Sequence, residues 1–308
     1  MAILIKSGYE TTYANLLKEF PFCEIKTIQD GDNKMVFFPK TYVKYEGNGG
    51  AGLTIKFSDK KKDSDWRLHK SFYKFNSASE EVENGVLHSA YIASQSGNKA
   101  VSNGGTQWGG LGYVASREKA KATGTDYDML NVYDYHFRGL LMLAETLAMG
   151  YTGADVQTAI GGADGAMGVT HFDIKDIWGG TDRGLWIYGI DRVSNLSGIH
   201  SIANTNLHIL GIDGQMYDTG LTPSSGYPVT FYTKYTDKYD LRDLLLGATV
   251  DGTVANGSCG DYSYLGSTGY CFNSGWSGSY TNCGPFYFNN SSPTNSGTDL
   301  SFALRKAC

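Results

Sequence analysis

"YDMLNVYDYHFRGLLMLAETLAMG", residues 127–150, is the stretch of the chain with the clearest helical periodicity. Val132, Phe137, Leu140, Leu141, Ala144 and Leu147 recur at spacings of three and four, and Gly150 marks an end. A second, shorter helix fits "ASREKAKATG", with Ser116 as N-cap and Gly124 as the stop. A short amphipathic piece, "TTYANLLKEF", lies in an opening segment that ends at about residue 34.

Elsewhere the pattern changes to short strands. "KMVFFPKTYVKYEG" alternates, and "GLTIKFSD" can pair with it across the turn Gly47 to Gly52. "GVLHSAYIAS", "GLWIYGIDRV" and "HSIANTNLHILGIDGQMYD" read as further strands separated by Gly-rich turns. No solenoid or propeller repeat is visible, and no linker divides the chain after residue 35. Two helices, many short strands and long Gly-rich loops predict an α+β domain over residues 35–308.

Composition narrows the function. The chain has 308 residues, a formal net charge of -5, 19% charged residues and 40 glycines. An acidic chain without Lys/Arg clusters is poorly suited to gripping phosphates, so no nucleic acid partner is expected. The five cysteines have no Cys-x-x-Cys spacing and the six histidines have no metal-ligand spacing, so no structural zinc or other metal is expected. The first residues lack a long apolar run, which predicts synthesis in a bacterial cytoplasm without signal peptide or membrane insertion. "GGADGAMG" lacks the strand-before, helix-after context of a phosphate loop, and no nucleophile elbow or zinc-protease motif is present. No catalytic residue and no cofactor is expected.

From Tyr262 through Thr298 the chain carries no charge, yet it is rich in rings set among Ser, Asn and Gly. Tyr and Trp give wide, rigid contact area at low entropic cost, and Ser, Gly and Asn supply adaptable hydrogen bonds, the alphabet of antibody paratopes. The expected ligand-binding residues are Tyr262, Tyr264, Tyr270, Phe272, Asn273, Trp276, Ser277, Ser279, Tyr280, Asn282, Tyr287 and Asn289. Most of them are expected to share one solvent-facing patch. The competing reading is a Gly-rich closing hairpin with its rings turned inward.

Several segments also carry a resemblance. "MVFFPKTYVKYEG", "SDWRLHKSFYKF", "AYIAS", "ASREKAKATG", "MLNVYDYHFRGLLMLAET" and "IWGGTDRGLWIYGIDRV" occur in the order seen in a group of phage and prophage tail proteins. The close, "GWSGSYTNCGPFYFNNSSPTNSGTDLSFALR", resembles the end of variable proteins of diversity-generating retroelements. Those proteins are similar to the major tropism determinant of a Bordetella phage and share a C-type-lectin fold with formylglycine-generating enzymes. The likeness covers roughly residues 35–305.

The resemblance implies a C-type-lectin-like domain with a variable ligand-binding region at 259–295, diversified through Asn-type codons. It implies a receptor-binding adhesin on a phage tail tip or fibre, facing a host-cell protein or glycan. Other tail proteins would be partners, with residues 1–34 as attachment or oligomerisation segment, in a homo-oligomer that the resemblance makes a trimer. The Glu-Pro-Asn and Trp-Asn-Asp calcium motifs of animal lectins are missing. The alternatives are a structural virion decoration protein without a receptor, or an enzyme related to the formylglycine-generating oxidases with Cys271 and Cys283 close together.

Overall fold

The helical repeat forms a 17-residue helix, Val132–Ala148, almost wholly buried in the core. The computed structural model describes residues 5–6, 11–49, 52–149, 170–177, 184–191, 206–222, 226–244, 246–251, 271–274, 289–291 and 295–308. The helix begins later than its sequence pattern. Asn131 is the N-cap: its side chain accepts from Tyr133 N at 2.9 Å and Asp134 N at 3.0 Å, and Asp134 accepts from Asn131 N at 3.2 Å. This capping box satisfies otherwise orphaned first-turn donors and fixes the start. Tyr127–Met129, at the head of the quoted stretch, is instead a strand paired with Leu304–Lys306.

We label the helices α1 (Tyr13–Leu16), α2 (Tyr113–Lys121) and α3 (Val132–Ala148). The described α-helices thus number three, the four-residue α1 lying in the short amphipathic piece, against the two helices expected. Ser116 does not cap α2; Gly112 holds the N-cap position, and Ser116 lies buried within the first turns. All of Val132, Phe137, Leu140, Leu141 and Ala144 are buried, and Leu147 is half-buried. So are polar Asp134, His136, Arg138 and Glu145. A helix buried on nearly every side is a central element rather than a surface amphipathic one.

Two sheets flank it. The first has five strands, in the order Tyr127–Met129, Leu304–Ala307, Gly85–Ser89, Asn33–Pro39, Lys26–Asp30, all antiparallel. Its Phe38 meets Phe137 of α3 edge-on at 6.2 Å. The second is built on Gly184–Asp191 and carries the hairpin His208–Leu210/Met216–Asp218. Tyr133 of α3 donates to Leu210 O of that hairpin at 2.7 Å. A further sheet contains Tyr42–Gly49 paired with Gly52–Ser58, the hairpin expected from the glycine turn. "KMVFFPKTYVKYEG" divides between two sheets after Lys40, whose N donates to Asn84 O at 2.8 Å, and Thr41 Oγ1 donates back to Pro39 O at 2.7 Å at the break.

The architecture is mixed α and β, mostly sheet with few helices, and no helix among the described residues is long and apolar enough to cross a membrane. Within residues 11–34, Leu16 and Phe22 belong to the hydrophobic core. Leu16 is fully buried, Phe22 nearly so, and Lys26–Asp30 pairs with Asn33–Pro39 across the expected boundary.

Candidate functional site

The strand Gly184–Asp191 is the platform for the end of the chain. Cys271–Ser274 pairs with it antiparallel on one edge, and Asn289–Ser291 pairs with Cys271–Ser274 in turn. Leu300–Phe302 runs parallel to it on the other edge, beside the hairpin strand His208–Leu210. The described strands of the charge-free run, and the strand that follows it, thus belong to one sheet built on Gly184–Asp191. Of the expected ligand-binding residues, Phe272, Asn273 and Asn289 fall on these strands, with Asn273 in register with both Asn289 and Trp186. Tyr262, Tyr264, Tyr270, Trp276, Ser277, Ser279, Tyr280, Asn282 and Tyr287 lie outside the described residues, as does Cys283.

What holds the platform is clear. Trp186 is fully buried, its Nε1 donates to Leu111 O at 3.1 Å, and its ring meets Tyr113 edge-on at 5.7 Å. Arg117 lays its guanidinium 3.4 Å over the Tyr188 ring and forks onto Asp128 through two 2.9 Å bonds. Gly189, at φ +100, lets the hairpin approach, since a Cβ there would lie 2.7 Å from Leu210 Cβ. After the run the chain locks down: Ala93 N donates to Phe302 O at 2.9 Å, and Leu130 N to Ala303 O at 2.8 Å.

Beneath this lies a buried polar network the sequence did not signal. Asp134, fully buried, faces Arg305 Nε at 2.7 Å, Ser71 Oγ at 2.5 Å and His88 Nε2 at 3.5 Å. The Arg305 Nε contact is a charge pair rather than an aligned hydrogen bond, and Arg305 Nη2 donates to Ser71 O and Tyr73 O at 2.9 and 3.1 Å. Burial opposes the Asp134 charge, but Arg305, His88 and Ser71 outweigh it and hold the carboxyl at about 2. Burial pushes His88 down to about 4 against the pull of Asp134, and it pushes His136, with His69 nearby, to about 3.

Ser71, His88 and Asp134 share residue types with a hydrolytic triad but not its geometry. Ser71 donates to the carboxylate and not to the imidazole, and all three side chains are sealed from solvent. The set is suited to tying α3 to the first sheet. The only indirect sequence signal was a polar face, Asp134, Arg138 and Glu145, on an otherwise apolar helix.

Clefts open on the described surface, and three of them bear on function. One, of about 400 Å3, has Trp66, Tyr73 and Tyr235 in its walls; the exposed Tyr235 ring sits between the guanidiniums of Arg67 at 4.4 Å and Arg242 at 3.8 Å. The second, of about 290 Å3, joins α1 to His171, which approaches buried Glu145 at 2.5 Å. This contact pins the 170–177 segment to α3. The third, of about 410 Å3, lies between the hairpin Ser94–Ser96/Lys99–Val101 and Thr298, where the charge-free run ends. Among the described residues no group of three or more His, Cys, Asp or Glu side chains is placed to hold a metal ion. No family model matches the chain, and no curated protein matches it.

Proposed function

We propose that the chain is a receptor-binding protein of a phage or prophage tail, a C-type-lectin-like domain whose charge-free C-terminal run contacts the host-cell surface. The observation that carries the reading is the anchoring of that run. Cys271–Ser274 within the run and Leu300–Phe302 after it pair with Gly184–Asp191, whose described side chains are all buried, and Asn289–Ser291 joins the same sheet through Cys271–Ser274. Such an arrangement lets contact residues change while the core stays fixed. The aromatic, Ser, Asn and Gly composition of the run suits contact rather than chemistry. Diversification by a retroelement, a homo-oligomer and a virion location follow from the resemblance and belong to the same proposal.

If the rings of the run are contacts, Tyr280→Ala and Trp276→Ala leave the melting temperature nearly unchanged, within about 0.5 kcal/mol of stability. Leu140→Ala or Leu141→Ala in the buried face of α3 should cost about 2–5 kcal/mol through the cavity left behind. Urea unfolding of the four variants measures both. Equal losses for rings and leucines would favour the structural decoration reading.

Adsorption provides the second test. With the animal-lectin calcium motifs missing, attachment of particles to host cells is expected to survive EDTA. Several copies on one particle should exceed an isolated subunit by about 100- to 10,000-fold through linked binding alone. Calcium-reversible loss of adsorption would overturn the metal-free claim, and a monomer binding as tightly as the particle would overturn the avidity claim.

A further inference from the structure

The cleft beside Trp108 has an unusual inventory. None of Ser94, Gln95, Asn103, Gln107, Trp108 and Thr298, which line it, carries a charge. Its volume of about 410 Å3 falls in the range of small-molecule sites, about 300–1,000 Å3. Ser94 is 3% exposed, and its Oγ has no hydrogen-bond partner among the described residues. A buried hydroxyl in that state carries a desolvation cost that a ligand hydroxyl would offset.

The other polar groups are half used. Asn103 Oδ1 accepts from Gly105 N at 3.0 Å, which leaves its NH2 as a donor. Gln107 Nε2 donates to Asp176 at 3.3 Å and Gln95 Nε2 to Gly97 O at 3.0 Å, which leaves two amide oxygens as acceptors. Trp108 is fixed by its own backbone: its N donates to Ala93 O at 2.7 Å and its O accepts from Ser301 Oγ at 3.0 Å. Phe302 supports its ring at 6.2 Å, and Lys119 Nζ stands 6.0 Å from the ring while it is engaged with Asn98.

We infer that this cleft is a binding site for a neutral saccharide ring. Each sugar hydroxyl donates and accepts, which matches a wall of interleaved donors, acceptors and hydroxyls. The apolar face of a pyranose fits a held indole. A charged ligand would lose hydration here without a counter-charge in the wall. A peptide adding as a strand needs a free edge. At Ser94 both edges are taken, one by Val101 and the other by a bridge to Gln107. Except for Thr298 the site lies outside the charge-free run, and it stands whether or not that run binds a receptor.

The test uses the full-length chain and methyl glycosides of glucose, galactose, mannose, N-acetylglucosamine, fucose and xylose, read by saturation-transfer NMR and tryptophan fluorescence. Saturable binding in the range of about 1 mM is expected for at least one. Ser94→Ala breaks no bond within the described protein, so it should weaken binding about 3- to 10-fold with an unchanged melting temperature. Gly105→Ala, which places a methyl 3.3 Å from Ser94 Oγ, should weaken it as well, whereas Tyr235→Ala, at an exposed ring of a separate cleft, should not. No saturation by any glycoside at about 50 mM overturns the site. So does full affinity in both cleft variants, or saturable binding of a neutral tripeptide in place of every sugar. None of these results bears on the receptor reading, which the adsorption test judges separately.

Discussion

Arg305→Ala is expected to destabilise the protein by about 3–5 kcal/mol, because it leaves the Asp134 carboxylate buried without its cation. The loss should exceed that of any exposed ion pair. Lys44 with Asp65 at 3.1 Å, for example, contributes little, since water and salt screen it. Arg305 also donates to Ser71 O and Tyr73 O, so its removal unties the segment that leads from the first sheet toward α3. Asp134→Asn in the Arg305→Ala background should recover part of the loss, since a neutral amide can still cap α3 and strands no charge. Urea denaturation of the two single variants and the double variant measures the coupling. A cost below about 1 kcal/mol for Arg305→Ala would mean that the pair is not what binds sheet to helix.

Acid should unfold the protein early. His88 and His136 are fully buried, with folded values of about 4 and about 3 against an ordinary value near 6.5. Both are neutral in either state above about pH 6.5, so they add no pH dependence there. Below it the unfolded chain takes up protons that the folded chain refuses, and stability falls until the folded values are reached, about pH 4 and about pH 3. Between them the two groups account for several kcal/mol of this loss, a large part of the roughly 5–15 kcal/mol stability of many domains. Asp134 extends it: its stabilisation is complete above about 3.8 and is lost as pH falls through about 2. The urea midpoint should drop steadily between about pH 6.5 and about pH 4, and His136→Leu should flatten the slope. A midpoint that stays level across that window would remove the buried histidines as the cause.

How much of this was legible in the chain differs from element to element. The core of α3 was legible because Val132, Phe137, Leu140, Leu141 and Ala144 need only the helical repeat to share a face. Its start was not, because Tyr127 to Met129 continue the apolar pattern while pairing with Leu304–Lys306 at the far end of the chain. Ser116 read as a cap because capping preference is local. The turn before it instead follows Gly112 in extended conformation, and Ser116 is left inside the helix. The hairpin Tyr42–Gly49/Gly52–Ser58 was readable from its own turn, and its membership in a sheet separate from Asn33–Pro39 was not.

The candidate sites divide in the same way. Composition alone marked the charge-free run from Tyr262 to Thr298, since absence of charge is a property of the sequence and needs no coordinates. The Asp134 network could not be read, because its members come from four separate segments and Arg305 reaches Ser71 across 234 positions. The same holds for the cleft at Ser94, where a serine, three amides and a tryptophan of ordinary sequence context meet Thr298 only through the return of the chain at Leu300–Phe302. Periodicity of 3.6 or 2.0 residues is written into a segment by its own side chains. Burial without a partner, and charge paired in the core, depend on which distant strands lie side by side, and only the tertiary structure decides that.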